Sequence, residues 1–382
     1  TGNGSIILRG TRAWVRGCNL PRTEVFGDIY LSGRMDVDAE TIVHPQAMLH
    51  IGPETLETEV FVSTVSNTAG DGLIMDSDDS ELIVRDRIEF TAQSGHRNAT
   101  TQGNLNQGVI RVQGDFIQSR PNTSTSLSAF VATGTLVEFE GLGEHTLTMA
   151  TPGETASRFS HLRAGGTVNT TTGFVATQSV EVPGRAVLRV TGDGDAIMGG
   201  TLLVDGGTFD VNDDLDLDGR GDVRNGGRLT CTDDCRIRDW LFVESGATFE
   251  GTRVTSFYPI PVVEGATYEV TDTHVLGDIV HERDIHLPGT GRLHIEQENS
   301  LTLSGHRLEI DGSLSHIKHN DARSGLLMHN PNDAFVVHGA ATFMCASGHY
   351  NCTTQASFTH GEIHFRGDFA STRQTSSSPT RD

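Results

Sequence analysis

"GGTFDV" at 206–211 returns as "GGRLTC" at 226–231, "GATFEG" at 246–251 and "GATYEV" at 265–270. The apolar residue behind each glycine turn, Phe209, Leu229, Phe249 and Tyr268, falls at spacings of 20, 20 and 19. Short alternating segments accompany these returns: "AVLRV" at 186–190, "TLLV" at 201–204 and "LHIEQENSLTL" at 293–303. In them one side chain in two is apolar, the mark of a strand with one buried face. Helix signals are nearly absent. A rung of about 20 residues turned by Gly, Asn and Asp is what a β-solenoid requires, because each coil lays its strands on the coil before it and buries an inner column of Val, Leu, Ile and Phe. An antiparallel sandwich is the competing architecture, but nothing in it would hold that spacing through four Gly-apolar returns. The expected fold is all-β, an elongated parallel β-helix with projecting Ser/Thr-rich loops.

A longer period lies above the short one. "SGHRNATTQ" at 94–102 returns as "SGHYNCTTQ" at 347–355, and the match extends without gaps from Leu73/Leu326 to Phe116/Phe369. Further toward the N-terminus "VFGDI" at 25–29 meets "VLGDI" at 275–279, and Leu56-Glu57 meets Leu308-Glu309. The chain reads as a first unit, residues 1–270, and the truncated beginning of a second, residues 271–382, in one continuous solenoid. The first residue is Thr1, no signal peptide follows it, and the last residues stop inside a Ser/Thr-rich stretch, so the expectation is a piece of something longer. Coils stacked at the strand spacing of about 4.8 Å would give each unit an axial repeat of roughly 50–60 Å.

Composition narrows the class. The chain has 44 Gly, 6% aromatic and 36% hydrophobic residues, which suits many short strands and tight turns. No stretch reaches the length of apolar sequence a membrane helix needs. A net charge of −22 repels phosphate backbones and argues against a nucleic-acid partner. Of the 28 basic residues only Lys318 is lysine, which leaves little amine for chemistry.

The run "GVIRVQGDFIQ" at 108–118, then a Ser/Thr-rich loop, "GTLVEFEGLGEHTLTM" at 134–149 and "RFSHL" at 158–162, resembles repeats of large secreted bacterial surface proteins of the filamentous-haemagglutinin and autotransporter β-helix kind. The resemblance covers most of the chain in texture and implies surface display with adhesion or scaffolding. It fixes no substrate.

Over the 44 gapless pairs the copies share 16 identities, and seven of them lie in the nine positions 94–102. One explanation is structural: Ser94, His96, Asn98 and Thr100, with Ser347, His349 and Asn351 in the second copy, tie down the backbone of a loop. The other is functional, the same residues contacting a sugar or a metal. Cys345 and Cys352 bracket the second copy of the phrase where the first has Ala92 and Ala99. Because both change together, a Cys345–Cys352 disulfide is expected, with zinc at Cys345, Cys352 and His349 as the rival. Cys231 and Cys235 in "CTDDC" form a candidate second staple, and Cys18 is left over. Disulfides imply an oxidising, extracellular setting.

"DLDLDGRGD" at 214–222 sets Asp214, Asp216 and Asp218 in the order of a calcium loop. Position 12 is Asn225 rather than Glu, and Leu215 and Leu217 alternate with the aspartates as on a strand with a wet outer face. The strand reading and the calcium reading both stand at this point. "RGD" at 220–222 and 366–368 is a chance tripeptide, since Arg366 is matched by Gln113 in the other copy. Asn98, Asn122, Asn169 and Asn351 sit in glycosylation sequons. Twelve of the 17 histidines lie from His274 onward. His286, His294 and His306 read as single solvated outer positions, and His316 and His319 around Lys318 as part of a polar loop, with weak metal binding as the other reading.

The functional expectation is a structural, non-catalytic segment of a long extracellular fibre, stalk or adhesin. Its partners are further copies of the repeat and surface glycans, and calcium is the one cofactor the sequence suggests. The alternative is a carbohydrate-binding or polysaccharide-cleaving β-helix, a lyase or hydrolase, which would need carboxylates or a basic group converging on one groove.

Overall fold

A computed structural model describes residues 5–66, 70–93, 100–119, 128–257, 262–263, 265–296, 299–318, 325–345 and 357–373. Among them every regular element is a strand. Among the described residues no helix is long and apolar enough to cross a membrane. Two compact units are present, residues 1–203 with 207–210, and residues 204–206 with 211–382.

In the first unit the strand pairs run parallel, and one line of residues can be followed from coil to coil. Ile6 pairs with Thr23, Thr23 with Thr41, Thr41 with Phe61, and Phe61 with Ile88; the line continues through Phe116, Leu147 and Thr170 to Val190. From Thr23 onward each member of this line is buried. A parallel ladder in register puts like positions on top of one another, so one inward residue per coil becomes an inner column. Phe90, Phe116, Phe130 and Phe159 gather there with ring centroids 4.8–5.8 Å apart.

The second unit repeats the construction by itself. Leu229, Phe249 and Tyr268 pair in succession and are buried, which is the short period read from the glycine turns. A second line runs Leu215, Cys235, Val254, Thr273, Leu293, Leu314, Ala341, Phe369. The coil length is not constant, however. It is 20, 19, 19, 20 and 21 residues as far as Leu314, then 27 and 28. The long coils are those containing 319–324 and 346–356, as the long coils of the first unit, of 27, 28 and 31 residues, contain 67–69, 94–99 and 120–127, all outside the described residues. Register is set by the inner column, so extra residues are accommodated between strands rather than within them.

The sequence repeat is also a repeat of backbone geometry. Gly72–Ile74 corresponds to Gly325–Leu327, Val109–Val112 to Glu362–Phe365, and Asp115–Gln118 to Phe369–Arg373. The bridge Met75–Leu105 is matched by Met328–Phe358. Gly108 and Gly361 both have positive φ, 80° and 86°, and a Cβ on either would lie 2.4–2.5 Å from the carbonyl oxygen of Ser80 or Asp333. Only glycine fits both demands, left-handed backbone and close approach.

Candidate functional site

The repeated phrase is described only in part. Ser94, His96, Asn98, Ser347, His349 and Asn351 lie outside the described residues. Next to them, the Thr100 Oγ1 accepts a hydrogen bond from the Gln102 amide at 3.0 Å. The Thr101 Oγ1 accepts one from the Val131 amide, on the next coil, at 2.7 Å. Both hydroxyls hold backbone.

Asp214, Asp216 and Asp218 alternate with the buried Leu215 and Leu217 of strand Leu215–Leu217, so they share the outer face. Each is met by an arginine from the neighbouring strand: Arg236 reaches Asp214 at 3.1 Å, and Arg238 reaches Asp216 at 2.9 Å and Asp218 at 3.0 Å. The pairing register explains this, since Asp216 stands opposite Arg236. Carboxylates two residues apart on a strand are spread along it, whereas a calcium loop must curl them round one point. The acidic groups that do approach one another within 4.8 Å here are Asp213, Asp214 and Asp233.

The Cys231 and Cys235 sulfurs are bonded, and both residues are buried. Cys345 is disulfide-bonded as well; Cys352, its expected partner, lies outside the described residues. Cys18 is free. The Arg220 guanidinium donates to both oxygens of Asp222, at 3.0 and 2.8 Å, so the first "RGD" closes on itself.

Two expectations about histidine need correction. His316 and Lys318 do not sit in a polar loop. They occupy inward positions of strand Ser313–Lys318, buried at 1% and 3% exposure. The Lys318 Nζ donates to Ser357 Oγ at 2.6 Å, and His316 Nε2 accepts from the Leu326 amide at 2.8 Å. Burial, reinforced by the Lys318 charge, pushes the His316 pKa down to about 3. Nor does His294 stand singly on the outer face. It pairs in register with His274, and their rings stack with centroids 4.4 Å apart and planes 11° from parallel. The sequence signal for that pair was a separation of 20, one coil.

The outer face of the first unit carries an alternating column: Arg111, Glu138, Arg163 and Glu181 stand opposite one another on successive coils. Their ion pairs measure 2.5, 3.2 and 3.4 Å. Beside it an open cavity of about 520 Å³ is lined by Glu138, Glu140, Gln113, Phe139 and His145 among others. The His145 Nδ1 bonds the Gly114 carbonyl at 3.0 Å, which fixes the proton there. The buried Nε2 has no hydrogen-bond partner. A cavity of this kind offers acceptors to a hydroxyl-rich ligand.

Parallel strands, inward columns and arginine-bridged outer faces define an all-β protein of the parallel β-helix class. Comparison with protein-family models, with curated proteins and with solved structures found no match for the chain.

Proposed function

We propose that the chain is a structural, non-catalytic segment of a long extracellular fibre, stalk or adhesin assembled from tandem β-solenoid units. The observation that carries this reading is that the sequence repeat recurs strand for strand, down to the left-handed glycines Gly108 and Gly361. A fold that re-enters the same coil at the same strand can be lengthened by adding copies, because each new coil needs only the backbone edge and inner column of the last. Disulfide pairing supports an oxidising, cell-surface setting. The outer-face charges favour the same role, since arginine and carboxylate neutralise one another there instead of converging on a substrate.

The cavity at His145 supports a second reading, recognition of surface glycans. Electron microscopy of the native assembly, paired with glycan binding by the intact chain, separates the two. Thin filaments with a regular repeat are expected of the structural segment. Compact globular particles would overturn it, and glycan binding that is lost on His145→Ala would then put recognition first.

A further inference from the structure

We propose that His274, His294 and Glu296, on the outer face of the second unit, bind a divalent transition-metal ion of the zinc class. His274 belongs to strand Thr267–Val275 and His294 to strand Arg292–Ile295, which pair in parallel with the two histidines directly opposite. One nitrogen from each ring and one Glu296 oxygen lie within 4.8 Å of one another.

The pairing within the cluster is already close to that of a ligand set. His274 Nδ1 and Glu296 Oε1 are 2.8 Å apart, and His294 Nε2 and Asp272 Oδ1 are 3.1 Å apart. Metal–ligand bonds of about 2.0–2.1 Å to nitrogen and carboxylate oxygen place neighbouring ligands of a tetrahedral ion about 3.3 Å apart. Two imidazoles and one carboxylate form the mixed nitrogen and oxygen donor set of zinc, cobalt and nickel rather than the all-oxygen shell of calcium.

Side chains of His274 and His294 are 16% and 15% exposed, half-sheltered and still reachable by an ion. Arg253 and Arg292 stand opposite Asp272 on the two flanking strands, which leaves Asp272 outside the donor set.

Two other clusters lack these features. Glu309, Asp311 and His338 offer one imidazole, and Arg307 holds Glu309 at 2.9 Å. Asp213, Asp214 and Asp233 offer carboxylates alone, with Arg236 on Asp214. The first copy of the repeat has no equivalent. His274 precedes "VLGDI" as Glu24 precedes "VFGDI", and Glu24 stands opposite Ile42.

Calorimetric titration of the untagged chain with zinc ions tests the proposal, with cobalt absorption as the spectroscopic readout. One site is expected. His274→Ala and His294→Ala should each weaken zinc binding by about tenfold or more and abolish the cobalt bands, while His286→Ala should change neither. Because both side chains point outward, the variants keep the inner column, which circular dichroism would verify. Zinc binding of unchanged affinity in the folded His274→Ala/His294→Ala double variant would overturn the assignment. So would failure of the parent chain to bind zinc at about 0.1 mM, weaker than any built site of this donor set.

Discussion

Two buried histidines couple the fold to pH. His281 is 1% exposed, and neither ring nitrogen has a partner. Its pKa is pushed down to about 4, first by burial and then by the nearby His306. An unfolded chain protonates this residue near its ordinary value of about 6.5, so the unfolded state takes up the proton first as pH falls. The contribution is therefore complete above about pH 6.5 and is lost between there and about 4, with His316 extending the loss toward about 3. Within that window each histidine costs about 1.4 kcal/mol per pH unit. Urea unfolding at stepped pH should show stability falling from neutral toward pH 4. His281→Leu should flatten that slope and raise the midpoint at about pH 5. An unchanged slope in the variant would mean that His281 is wet or partnered in solution.

Strand-to-strand contact makes some glycines indispensable and others replaceable. A Cβ at Gly114 would lie 1.6 Å from the Asp86 carbonyl oxygen, where the strand Asp115–Gln118 begins its pairing with Glu81–Ala92. Gly226 has φ of 77° and nothing within 4 Å of the same atom. Gly114→Ala should thus cost more than about 2 kcal/mol by forcing two coils apart, against about 1 kcal/mol of backbone strain for Gly226→Ala. Comparing their denaturant midpoints measures the difference, and equal effects would show that the coils can separate without loss. This level of the structure was the most legible in sequence. Phe249 and Tyr268 announced the coil because they are apolar, follow a glycine turn and stand inward one rung apart. His316 and Lys318 were misread because an imidazole and an ammonium are seldom fully buried, and here Ser357 and the Leu326 amide bond to them. The His274–His294 pair and the arginine–carboxylate column went unseen for another reason. They depend on register between coils, which coils of 17 to 31 residues hide for the column in the first unit, while for the histidines a spacing of 20 does not by itself show that two side chains share a face. For the phrase at 94–102, the sequence left a backbone-holding loop and a ligand-contacting one both open; the two threonines that are described hold backbone.

For the molecule as a whole, charge balance is decided by two opposed effects of different range. Parallel stacking in register would place like charges about 4.8 Å apart on successive coils, and the alternation Arg111, Glu138, Arg163, Glu181 avoids this. Each such partly exposed pair contributes about 0–1 kcal/mol, and salt weakens it. Against these stands the net charge of −22, from 50 acidic and 28 basic residues, which no local pairing removes. At about 0.01 M salt the screening length is about 30 Å and the repulsion spans several coils; at about 0.15 M it shrinks to about 8 Å. Since the pairs are short-range and the surplus is not, salt should on balance stabilise the fold, with the melting temperature rising between those two concentrations. Glu138→Gln removes the carboxylate bridging Arg111 and Arg163, so it should lower the melting temperature while reducing its rise with salt, as one surplus negative charge is gone. A parent chain that melts lower in high salt would show that the ion-pair column outweighs the surplus, and with it that the outer face stabilises the coils more than pairwise values allow.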